Sequence, residues 1–262
     1  MAVKGSILGD IAGSQYEFEK CRPKAGLDNR TCELFTDRCV FTDDTIMTLA
    51  VKKAICENRD YVGVFRELTQ RYQYVGYGSG FYEWICRENP EPYNSFGNGS
   101  AMRVSYIADH FDDLDDMRTA ARESAVCTHN HPEGVKGAVV TAQLMWMARK
   151  GASRKELEEI AVSEYPSNQY QYGCDIPTAV YKGTYRFDAT CQGSLPVAYR
   201  CFLESSSYED CLRIAFGLHC DLDTVCCIAG GIAENFYGST GFDDEKLLEK
   251  YLDAYLLEIV NR

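Results

Sequence analysis

The sequence predicts an all-α fold of about ten to twelve helices. Apolar residues recur at helical spacing along most of the chain, and no stretch alternates apolar and polar residues as a half-buried strand would. The length of 262 residues, with 45% hydrophobic side chains, is enough to bury a large core without disulfide or metal staples. No Pro-, Gly- or Ser-rich linker interrupts the pattern, so residues 1–262 are expected to form one domain.

Taken in order, Gly5 to Ser14 is small and apolar, with Ile7, Leu8 and Ile11 spaced for a helix and glycines that permit close backbone packing. Residues 20–40 lose periodicity and carry Pro23, Gly26, Asp28 and Asn29, which predicts a long loop leading into an acidic stretch. A helix follows Thr45 to about Cys56, and Val62, Phe65, Leu68 and Tyr72 place another over Tyr61 to Gln73. From Gly76 to Gly99 glycine, proline and aromatic residues break the pattern, so a loop is predicted up to a helix beginning near Ala101. Helices are expected over 113–127 and 134–150, then from Ala152 to Tyr165, Leu195 to Leu203 and Tyr208 to Leu218. Pro166 to Ser194 does not separate loop from short helix. The run after Thr224, with Ala229-Gly230-Gly231-Ile232-Ala233, predicts a closely packed buried helix, and Glu245 to Val260 closes the chain as an amphipathic one.

The net charge of −12 argues against a nucleic-acid surface, which needs clustered Lys and Arg. No long charge-free apolar stretch suggests a membrane span, and Met1 to Gly5 does not read as a signal peptide, so the protein is expected in the cytoplasm, as a monomer. Thirteen cysteines without a Cys-x-x-Cys pair are read as free thiols. Cys127-Thr128-His129-Asn130-His131 holds three soft ligands but lacks a fourth, so a cleft-lining loop is preferred to a zinc site. Asp112-Asp113-Leu114-Asp115-Asp116 reads as an ordinary helix start.

Two other acidic clusters are different. Phe41-Thr42-Asp43-Asp44-Thr45 and Asp221-Leu222-Asp223-Thr224 lie far apart, yet each sets an acid pair and a threonine ahead of an apolar helical run. Residues one or two apart share no helix face, so such pairs converge only at a helix N-terminus, where unpaired amides and the dipole also favour them. One such cluster reads as an N-cap; two of the same pattern suggest carboxylates brought together around hard cations, Mg²⁺ or Mn²⁺. Gly97-Asn98-Gly99-Ser100, just before a predicted helix, is either a plain turn or a diphosphate cradle. Tyr93 and Phe96 beside it are available for local packing or for stacking on a base.

Five pieces, Gly9-Asp10-Ile11-Ala12-Gly13-Ser14-Gln15-Tyr16-Glu17, Phe41-Thr42-Asp43-Asp44-Thr45, Gly97-Asn98-Gly99-Ser100-Ala101-Met102-Arg103, Thr128-His129-Asn130-His131-Pro132-Glu133-Gly134 and Asp221-Leu222-Asp223-Thr224, complete the picture. In that order and spacing the chain resembles the ADP-ribosylglycohydrolases of the dinitrogenase-reductase-activating glycohydrolase type, from Gly5 to about Gly238. The resemblance implies a compact orthogonal multi-helix bundle and hydrolysis of the bond between ADP-ribose and an acceptor, either a modified protein side chain or a small ADP-ribosyl compound. It implies two divalent cations, one around Thr42, Asp43 and Asp44 and the other around Asp221 and Thr224, with Asp223 between them. It implies catalytic positions for Glu17, Asp43 and Asp223, diphosphate binding by Gly97, Asn98, Gly99 and Ser100, and for His129 a neutral hydrogen-bonding group for ribose or phosphate, against the reading of a satisfied structural histidine. Many relatives have Gly-Gly where this chain has His219-Cys220. The rival functions are a two-metal phosphohydrolase, although such sites usually use several histidines and only four are present, and a catalytically inactive ADP-ribose-binding or structural protein of the same fold.

Overall fold

The computed structural model describes residues 2–16 and 29–262. Among them fifteen α-helices form and no strand; the one extended pairing is an isolated bridge between Gly97 and Thr190. In chain order these are α1 (Ala2–Ser14), α2 (Asp43–Cys56), α3 (Tyr61–Arg71), α4 (Ser79–Ile85), α5 (Gly99–Met102), α6 (Ser105–His110), α7 (Leu114–Val126) and α8 (Pro132–Arg149). Then follow α9 (Arg154–Glu164), α10 (Thr178–Thr184), α11 (Cys191–Glu204), α12 (Tyr208–Phe216), α13 (Leu222–Tyr237), α14 (Asp244–Tyr251) and α15 (Ala254–Asn261). None of the described helices is long and apolar enough to cross a membrane.

The count exceeds the predicted ten to twelve for local reasons. Helices α4 and α10 have seven residues each, too few turns for an apolar period to show. The closing helix is two, because Asp253 accepts the amide of Leu256 at 2.9 Å and so starts a new helix after Leu252. The acidic run at Asp112 does start a helix: Asp113 accepts the amides of Asp115 at 2.8 Å and Asp116 at 3.1 Å and caps α7.

The fold is built around α1 and α13, which make the most extensive contact of any helix pair. Every residue of α1 except Lys4 is buried, the signature of a helix apolar on all sides and enclosed by others. Gly5, Gly9 and Gly13, one turn apart, let the backbones touch: a Cβ on Gly9 would lie 2.1 Å from the Cys226 carbonyl oxygen, and one on Gly13 would lie 2.6 Å from Asp223 Cα. Around this pair α2, α8, α11 and α12 pack as an inner shell. The cysteines among the described residues are all free, and those in this core, such as Cys226 and Cys227, fill space as small apolar groups.

Candidate active site

The two acid clusters open at the same end of this core. Thr42 is the N-cap of α2, its hydroxyl accepting the Asp44 amide at 3.2 Å, so Asp43 and Asp44 stand in the first helical turn. Asp221 is the N-cap of α13, but its carboxylate does not cap the helix; Oδ2 accepts instead from Asn98 Nδ2 at 2.7 Å. Asp223 accepts the amide of Thr224 at 2.9 Å. Thr224 Oγ1 donates to Asp44 Oδ2 at 3.2 Å, joining the two clusters directly.

A cavity of about 370 Å³ lies over this junction, and Asp43, Asp44, Asp221, Asp223 and Thr224 line it. Gly97, Asn98, Gly99 and His129 line it too. Gly76 to Phe81, Tyr93 and Phe187 complete much of the rest of the lining. Thr42 and Ser100 stand behind the wall: the Thr42 hydroxyl donates to Asp10 Oδ1 at 2.7 Å, and that of Ser100 to the Gly134 carbonyl at 2.7 Å. Tyr93 reaches the cavity, whereas Phe96 turns its ring to His131, 5.2 Å between centroids. Cys220 is buried with its thiol 3.8 Å from the Ala215 carbonyl and does not reach the cavity. Glu17 lies outside the described residues.

Electrostatics distinguish the two groups. Asp44 is pushed well above the usual carboxylate range by burial and then by the charges of Asp10, Asp43 and Asp221. Its Oδ1 is buried and has no hydrogen-bond partner among the described residues. A divalent cation against that oxygen would satisfy it and offset the repulsion, and the donors available, carboxylate and hydroxyl oxygens, suit a hard cation. Among the described residues no three His, Cys, Asp or Glu side chains are already drawn together as a cage. The donors therefore fit as a rim of oxygens beside the cavity. In the second group His129 is held well below its ordinary value by burial and by the nearby Arg103, so its imidazole is neutral.

Asp10 belongs to the site without having been singled out by pattern. It is fully buried in α1 and accepts from the backbone of Thr42 at 3.0 Å and of Thr45 at 3.1 Å, and from both of their hydroxyls. Burial raises it to about 6 despite these four donors. The available signal was an aspartate in the middle of a small apolar helix, where a charge persists only if partnered.

The all-helical architecture and the paired acid clusters at one cavity define a class. The sequence profile of the ADP-ribosylglycohydrolase family matches residues 1–262, and the chain belongs to that family, whose members hydrolyse glycosidic bonds to ADP-ribose. Among curated relatives, the ADP-ribosylhydrolase ARH3 of Mus musculus is 26% identical over 89% of this chain and 82% of its own, and that of Homo sapiens is 26% identical over 89% and 84%. A solved structure described as an ADP-ribosylglycohydrolase-related protein complex has the same fold, with a TM-score of 0.68 at 20% identity over 98% of this chain and 94% of that one.

Proposed function

We propose that this chain removes ADP-ribose from a modified protein side chain or from a small ADP-ribosyl compound, with two divalent cations, Mg²⁺ or Mn²⁺, as cofactors. The observation that supports this most is the Thr224–Asp44 hydrogen bond beside a buried Asp44 oxygen without a partner, because it sets both acid clusters at one cavity. Asp43 and Asp44, held in place by the Thr42 cap, would hold one cation, Asp221 and Thr224 the other, and Asp223 both. Bound there, such ions supply orientation of the ribose diol and a lowered pKa for water. Asp43 and Asp223 would orient the attacking water at the cavity wall, and Glu17 would serve as general acid or base. The Gly97-Asn98-Gly99 turn leaves room for the diphosphate beside His129, since even a methyl on Gly99 would come 3.4 Å from His129 Nε2.

The test is incubation of the purified chain with ADP-ribosyl-arginine, ADP-ribosyl-serine and O-acetyl-ADP-ribose, with Mg²⁺, Mn²⁺ or EDTA. Metal-dependent release of ADP-ribose is the expected result. Release of AMP would make the protein a phosphohydrolase, and binding of ADP-ribose without turnover would make it a binding protein.

A further inference from the structure

Behind the glycine turn runs a buried polar chain whose proton positions follow from chemistry. Arg103 is 1% exposed, and no carboxylate pairs with it among the described residues. One guanidinium nitrogen donates to the Ser124 carbonyl at 2.5 Å and to Thr128 Oγ1 at 2.9 Å, the Phe65 ring lies 4.8 Å away, and Nε has no partner. A guanidinium can only donate, so Thr128 Oγ1 accepts that bond. The single hydroxyl hydrogen of Thr128 then goes to His129 Nδ1 at 2.6 Å or to the Ala125 carbonyl at 3.4 Å. The shorter contact is the better place for that hydrogen, and with it there Nδ1 is the acceptor. In a neutral imidazole the remaining hydrogen then sits on Nε2. That nitrogen faces the turn: added Cβ atoms on Gly97 and Gly99 would lie 3.6 and 3.4 Å from it.

The charge pattern points the same way. Besides the acids, the cavity lining includes Arg103, joined to Thr128 next to His129, and this buried cation has no carboxylate partner among the described residues. Removing a cation from water is costly unless an anion compensates it, so this part of the lining attracts negative charge.

We propose that Arg103 and Thr128 are positioning residues that fix His129 as an Nε2–H donor beside the Gly97–Gly99 turn, aimed at an acceptor oxygen of the diphosphate that the proposed function puts there. This rests on the proposed reading only for the identity of the ligand; the proton arrangement belongs to the protein alone.

Long-range ¹H–¹⁵N spectra of the imidazoles, with His129→Gln to assign the signals, test the relay in the ligand-free protein. Nε2 of His129 is expected protonated and Nδ1 unprotonated. Thr128→Val, which keeps the shape and loses the hydroxyl, should abolish that fixed tautomer and weaken ADP-ribose binding about fivefold, the worth of one net hydrogen bond, and Thr128→Ser should restore both. A wild-type Nδ1–H tautomer, or a Thr128→Val protein with unchanged tautomer and affinity, overturns the proposal. Should Thr128→Val not fold, the wild-type tautomer together with Thr128→Ser decides. If wild-type protein shows the expected tautomer but binds no ADP-ribose, the ligand assignment fails while the relay stands.

Discussion

The two acid-bearing helix starts are held in opposite ways by the same helix. At α2 the grip is side-chain chemistry: Asp10 of α1 takes two backbone amides and two hydroxyls from Thr42 and Thr45. At α13 it is backbone contact: Gly9 and Gly13 of α1 lie so close to Cys226 and Asp223 that neither has room for a methyl group. Hydrogen bonds tolerate shifts of a few tenths of an ångström, whereas backbones in van der Waals contact do not. Helix α1 therefore sets the second cluster by backbone contact and the first by hydrogen bonds, although α1 itself contributes no residue to the expected cation ligands. The separation of the clusters is set by a helix that sequence reading treats as core.

The steric grip predicts the largest effect. Gly9→Ala places a methyl 2.1 Å from a carbonyl oxygen, and overpacking of this kind costs about 1–3 kcal/mol or more, so thermal unfolding should shift down by several degrees. Gly78→Ala meets nothing within 4 Å and should leave the midpoint unchanged. Similar midpoints for the two variants would end the idea of a backbone-to-backbone grip. Asp10→Asn puts an amide donor among groups that all donate, and the lost bonds and new mismatch should cost about 2–3 kcal/mol. Turnover should fall with it, because the start of α2 loses its register; stability equal to wild type would mean that Asp10 is incidental.

A smaller change is expected at Asn98, whose amide donates to Asp221 at 2.7 Å and to Ser194 at 3.0 Å. Asn98→Ala should reduce stability by about 1–2 kcal/mol in a chemical denaturation curve, and it should weaken cation binding more than Ser194→Ala does. Equal effects of the two on cation binding would assign Asn98 a purely structural place.

The last expectation concerns pH. At the far end of the α1–α13 pair Glu234 accepts the Gly5 amide at 2.6 Å, and burial raises it from 4.5 to about 7. The folded protein then binds more protons than the unfolded chain between these values, so the contribution is fully present below about pH 4.5 and lost as pH rises through 7. Wild-type stability should fall by about 1–3 kcal/mol from this source between pH 5 and 8. Glu234→Gln should flatten that slope, and parallel curves for the two proteins would show that another group is responsible.

What the sequence discloses depends on whether partners are near in the chain. Helices such as α3 and α7 show themselves by period and cap, and the acid pairs stand out because two adjacent carboxylates ahead of an apolar run are unusual. The structure gathers Asp43, Asp44, Asp221, Asp223, Thr224, Gly97, Asn98, Gly99 and His129 around one cavity. Short helices such as α10 escape notice because they have too few turns to show a period. Asp10 and Arg103 escape because their partners lie on other helices and loops, so neither residue has a local pattern. Ser100 matches the turn by position yet faces Gly134, a direction set by tertiary packing.

The most direct test of the shared two-cluster site is calorimetric titration of Mn²⁺ into wild-type protein, Asp44→Asn, Asp223→Asn and Asp112→Asn. Wild type should bind two ions, and the variants at Asp44 and Asp223, on opposite clusters, should each lose stoichiometry or at least tenfold in affinity, about 1.4 kcal/mol. Asp112→Asn changes an exposed residue paired with Lys150 at 2.8 Å and should titrate like wild type. No binding by wild type, or an equal loss in all three variants, would contradict a cation site shared by the two helix starts.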